Sequence, residues 1–159
     1  AKALNAGAIG SLLAIMNTAS EVGYGNVIAM LPGFESIANA LLGIQIGGTP
    51  LVSMAVTVTT LAGITGSASG GLSIALDLMA KDWLAWANAI GMSPAVLHRV
   101  AAMASGGMDS MPHNGVVITL LAICGLTHKQ SYPDIFALVL IKTTAAFLII
   151  AVYMMTGLV

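Results

Sequence analysis

The chain has 159 residues, 58% of them hydrophobic and 7% charged, with a net charge of −1. An average soluble domain carries about 25% charged residues, and five Lys/Arg with six Asp/Glu cannot cover a water-facing surface of this length. Lipid is therefore the expected solvent, and with no basic excess there is no footprint for nucleic acid. The single cysteine, Cys124, excludes an intrachain disulfide and a cysteine-cluster metal site. It lies in an apolar run and reads as a small packing residue.

The chain begins Ala1-Lys2, without an initiator Met, and is expected to be one piece of a longer protein. Ala3 to Met16 reads as a helix of about 14 residues, roughly 21 Å long and short of a bilayer core of about 30 Å. The polar, glycine-rich stretch Asn17 to Asn26 follows, with Glu21 inside it. Val27 to Leu31 resumes helix, Pro32-Gly33 interrupts it, and Phe34 to Ile44 continues. A short arm, a polar tip and a returning arm predict a re-entrant hairpin over 1–46; the alternative is two full spans. In lipid, unpaired backbone groups at such a tip must be enclosed by protein or line a polar cavity.

Pro50 suits the opening of the next helix. Leu51 to Ile64, the small polar centre Thr65 to Gly71, and Leu72 to Ala80 together predict a discontinuous transmembrane helix over 48–81. Lys81 to Trp86 reads as interfacial. Ser93-Pro94 reads as a helix start. Pro94 to Ala104, the tip Ser105 to Gly115 and Val116 to Leu126 predict a second re-entrant hairpin over 93–126. The stretch 134–159 reads as a final full span. The expected fold is an all-α membrane protein: two re-entrant hairpins, one discontinuous helix and one closing span. Traced through these crossings, the two tips enter from opposite faces, and Lys81, Arg99 and Lys129 share the side expected to be cytoplasmic.

Three polar pieces thus converge, each followed by a helix N-terminus. Free N–H donors and the positive end of the helix dipole suit a carboxylate, while Asn, Ser and Thr side chains suit hydroxyls. A hydroxylated organic acid matches the mixture. The rival is that these are ordinary connections outside the membrane. Glu21, Asp109 and His113 are the titratable groups in the tips and candidates for proton coupling. Asp77 is expected to pair with Lys81 four residues on, and Lys142 to snorkel or to pair within the bundle. Scattered histidines make a metal improbable, and no cofactor is expected. Neither a Gly-x-Ser-x-Gly elbow nor a phosphate-cradling loop occurs, so enzyme chemistry is not expected.

The runs Leu4 to Ser11, Met16 to Gly25, Thr65 to Gly71 and Ser105 to Gly115 resemble the gluconate permease family over nearly the whole chain. The resemblance implies a secondary transporter of small organic acids, usually a proton symporter, in the bacterial inner membrane. It places the chain in the wider ion-transporter superfamily, built from paired inverted repeats with re-entrant hairpins. In relatives with a Ser-Asn-Thr hairpin motif, those residues bind the substrate carboxylate. Asn17 and Thr18 match its last two positions, and Met16 stands where the serine would be. Family members are longer, so the chain resembles their C-terminal portion. The expected substrate contacts are Asn17, Thr18, Ser20, Ser67, Ser69, Ser110 and Asn114. The expected partners are a small organic acid such as gluconate, protons ahead of sodium, the bilayer, and a missing N-terminal repeat or another chain, with a homo-oligomer left open. A passive channel or facilitator is the alternative function, as is a non-transporting, partner-binding half of a split membrane protein.

Overall fold

The computed structural model describes residues 2–44, 46 and 48–157, and within them every side chain except those of Leu13, Thr18, Glu21, Glu35, Ala38 and Leu42. The described residues form seven helices and no strand: α1 (Lys2–Ala29), α2 (Pro32–Leu42), α3 (Pro50–Thr65), α4 (Ala68–Ala89), α5 (Pro94–Ser105), α6 (Gly115–Cys124) and α7 (His128–Thr156). Pro at the first turn opens α2, α3 and α5, where its missing N–H costs nothing.

The centre of the fold is α3. Leu51, Ala55, Val58, Leu61 and Ala62 are fully buried, and Met54 nearly so. A helix apolar on every side belongs inside a bundle. It is packed between α4 and α5 and touched by α1, α2 and α7. Ala75, Met79, Trp83 and Ala87 of α4 close one side, and Val96, Leu97, Val100 and Ala104 of α5 another. Phe34 of α2 and Ile150 of α7 complete the core.

The expected discontinuous helix over 48–81 is instead a helical hairpin. Gly66 ends α3 in the left-handed conformation, at φ 67°, and turns the chain back. A Cβ placed on Gly71 would lie 2.3 Å from the backbone nitrogen of Ala62, so α3 and α4 meet backbone to backbone just past the turn. At the far end, Trp83 Nε1 donates to Ser53 Oγ at 3.3 Å, tying residues 30 apart in sequence. The trace of sides built on a crossing at this point falls with it.

The expected hairpin over 93–126 is the segment that does not fold back along itself. α5 lies on α3 and α4, whereas α6 lies on α1. Residues 106–114 separate two arms with different neighbours. Each arm buries its apolar face elsewhere, so nothing holds them side by side.

The predicted tip at Asn17 to Asn26 is also helical. α1 runs through it unbroken for 28 residues, about 42 Å. A helix satisfies its own backbone hydrogen bonds, so polar side chains alone do not force a loop. The break comes later, at Met30-Leu31. The last helix begins at His128, six residues before the predicted start. Thr127 and Gln130 form a capping box, and Pro133 is tolerated near the start. α7 is about 43 Å long and, among the described residues, is the one helix both long and apolar enough to cross a membrane. Its outer face exposes Leu138, Leu140, Ile141, Leu148 and Val152, and α1 exposes Leu4, Ile9, Leu12 and Ile15.

Gly71→Val is expected to force α3 and α4 apart and to lower stability by about 1–3 kcal/mol or more. Gly7→Ala, whose added methyl meets open space, should leave it unchanged. Thermal unfolding of the detergent-solubilised protein distinguishes the two.

Candidate functional site

The two interruptions, Gly66-Ser67 and 106–114, meet. Asn114, 5% exposed, joins them. Its Nδ2 donates to Gly66 O at 2.5 Å and to Asp109 O at 2.6 Å. Its Oδ1 accepts from Val117 N at 2.9 Å and so caps α6. The amide thus spends both donors and its acceptor inside the protein. Asn114, expected to contact substrate, is a structural clasp. Gly66 is confined on a second count, because a Cβ there would lie 2.6 Å from the His113 ring. Thr59 Oγ1 donates to Ala104 O at 3.0 Å and fixes the end of α5 on α3.

Three of the expected groups are brought together on one polar cavity of about 360 Å³ between α1 and these two breaks. Asn17 and Ser20 of α1 and His113 of the loop line it, with Tyr24, Thr65 and Gly115. Asn17 Nδ2 donates to Thr119 Oγ1 of α6 at 2.8 Å. The Tyr24 and His113 rings meet edge to face with centroids 6.1 Å apart. The N-terminus of α6 opens on the same space at Gly115, presenting its dipole's positive end. The side chains of Thr18 and Glu21 lie outside those described.

Ser67 and Ser69 belong to a neighbouring cavity of about 300 Å³, which shares Thr65 with the first. Ser67 is the N-cap of α4, its Oγ accepting from Gly70 N at 3.1 Å. Its hydroxyl is 3.4 Å from that of Ser69.

Ser110 and Asp109 are drawn away from both cavities. Lys142 Nζ of α7 sits 2.7 Å from Asp109 Oδ1 and 3.0 Å from Ser110 Oγ, and Ser110 Oγ donates to Asp109 Oδ1 at 3.0 Å. Lys142 therefore pairs within the bundle. Asp109 is thus held by an ammonium and faces neither cavity. The expected Asp77–Lys81 pair does not form; among the described residues the one ion pair is Lys142 with Asp109. No group of three or more His, Cys, Asp or Glu able to hold a metal occurs among the described residues.

Tyr24, Thr65 and Thr119 are the site residues that sequence reading missed. The spacing Asn17, Ser20, Tyr24 is helical, by three and then four, and places all three on one face of α1. That period was the available signal.

Over 156 residues the chain is 58% identical to the "Uncharacterized transporter YxjC" of Bacillus subtilis (strain 168). The alignment takes in 98% of the chain, and the chain spans about a third, 33%, of that relative's length. No family model matches the chain, and no solved structure matches it. The similarity supports transport as the class of function and a membrane setting, without singling out the gluconate permease family.

Asn114→Ala removes a helix cap and both ties between the breaks, and is expected to cost about 2–4 kcal/mol in thermal unfolding. Lys142→Met leaves Asp109 unpaired, and Asp109→Asn in the same protein should recover stability. A double-mutant cycle is expected to return a coupling on the order of 1 kcal/mol, because both groups are partly exposed.

Proposed function

We propose that the chain is the C-terminal part of a secondary active transporter that takes up a small hydroxycarboxylate such as gluconate by proton symport across the bacterial inner membrane. The observation that carries this reading is the cavity at the two clasped helix breaks. It joins a helix N-terminus, a histidine and neutral hydrogen-bonding side chains from three parts of the chain. The carboxylate would lie against the start of α6 and His113, where the dipole favours an anion and the imidazole offers a hydrogen bond. Asn17 and Ser20 would take the hydroxyls, and Thr18, one residue along α1, is assigned with them. Ser67 and Ser69 offer a second set of hydroxyls across Thr65.

Of the proposed coupling groups, His113 is the one that faces this cavity. Glu21 remains a candidate from its place on α1, whereas Asp109 is taken up by its pairing with Lys142. The similarity to a transporter roughly three times as long supports a site completed by a further repeat or by another chain.

Uptake of labelled gluconate into proteoliposomes tests this reading. His113→Ala is expected to raise KM about tenfold, the loss of one charge-assisted hydrogen bond to the carboxylate. Asn17→Ala and Ser20→Ala should each raise it about three- to tenfold. A wild-type protein that moves no hydroxycarboxylate would overturn the assignment.

A further inference from the structure

Beyond Ser67 and Ser69, the second cavity holds Ser73 and Asp77, which the substrate reading leaves unused. α4 turns Ser69, Ser73 and Asp77 to one side, spaced by four residues and lining one wall. Asn26 of α1 and Thr65 and Ser67 at the hairpin turn line the rest. Every polar side chain here offers oxygen, and no cationic side chain lines the space. The carboxylate of Asp77 and the hydroxyl of Ser73, one turn apart, make no hydrogen bond or ion pair among the described residues. A helical serine commonly bonds back to its own helix, and Ser73 does not. Both side chains are exposed at the cavity, where the carboxylate is open to a cation.

We propose that Asp77, with the Ser73 hydroxyl one turn before it, binds the monovalent cation that drives transport, whether hydronium or sodium. This rests on the transport reading and assigns its coupling site. One negative charge among neutral oxygens suits a singly charged hard cation, and the absence of imidazole or thiolate speaks against a transition metal. The helix dipole sorts the two ligands. Ser67 to Gly70 form the positive end of α4 and favour an anion, whereas Asp77 stands about 12 Å further along the helix than Ser69, beyond that influence. Thr65 lines both cavities, so cation and substrate share a wall. Asp109, already held by Lys142, has no such vacancy for a cation.

The charged and titratable neighbours are few. Lys81 and Asp82 follow on α4 itself, and Tyr24 lies on α1. α3 carries no titratable side chain. α5 carries His98 and Arg99, and His98 lines a separate apolar cavity of about 220 Å³. The Glu21 side chain of α1 is outside those described.

The test compares wild type, Asp77→Asn, Asp77→Glu and Lys81→Gln of the intact protein in proteoliposomes. Accumulation of gluconate is driven by a pH gradient in one arm and a sodium gradient in the other, and gluconate exchange is measured without a gradient. Asp77→Asn is expected to lose at least tenfold of the accumulation while exchange persists. Asp77→Glu should restore part of it, and Lys81→Gln should behave as wild type. The arm that drives wild type identifies the cation. Accumulation retained in Asp77→Asn, or accumulation and exchange lost together, overturns the proposal. If wild type exchanges no hydroxycarboxylate, the transport reading fails, and the cation site is then read from thermal unfolding of the purified protein. A melting temperature that shifts with sodium or pH in wild type but not in Asp77→Asn supports the site, and identical responses overturn it.

Discussion

The arrangement depends on one primary amide. Asn114 reaches from the end of one interruption to the carbonyl of Gly66 in the other, and back to Asp109 in its own loop. An interrupted helix leaves N–H and C=O groups that water or protein must satisfy. Here each interruption supplies part of what the other lacks. The clasp sets the start of α6 and the turn before α4 against one another, and the polar cavities form where α1 closes over that junction. Burial strengthens these bonds, because a lost partner in this environment leaves a polar group with no substitute.

Around this junction the rest of the bundle acts as a mount. α3 is enclosed nearly all round, and its hairpin with α4 is closed at both ends, by the Gly71–Ala62 approach and by the Ser53–Trp83 bond. A turn held on so well packed a base keeps its carbonyl in place without help from solvent. The opposite wall, α1, is a long helix with much of its surface exposed, joined to the site through Asn17, Gly25 and Tyr24. The cavities therefore lie between a heavily buried half and a lightly buried one.

Composition made the solvent and the helical class legible, and the Gly/Ser/Thr runs enclose both interruptions: Gly66-Ser67 falls inside Thr65 to Gly71, and 106–114 inside Ser105 to Gly115. What could not be read was the partner of each arm. Leu51 to Ile64 and Leu72 to Ala80 are both predominantly apolar helical runs, and their periodicity is the same whether the second arm continues or folds back. That choice is made by the left-handed Gly66 and by the contact at Gly71, which depend on residues distant in sequence. For α1 the reason is different: a polar, glycine-rich stretch does not force irregular backbone, since Gly23 and Gly25 each cost a helix only about 1 kcal/mol. At the site, hydroxyls and amides were identified by residue type alone. Burial then separated Asn114, whose side chain is consumed by the fold, from Asn17 and Ser20, which face open space.

Lys142 stands midway along α7, with apolar residues for several turns on either side. As a helix entering the bilayer alone, α7 would carry this ammonium to the depth where it is least welcome, a penalty of about 2.5–3.5 kcal/mol on insertion scales. Asp109 relieves it, and Asp109 precedes Lys142 by 33 residues in the chain. During synthesis the loop at 106–114 is thus already available when α7 emerges. The pairing ties correct seating of the last helix to the prior placement of that loop, so that a misplaced loop would be registered as a poorly inserted final span.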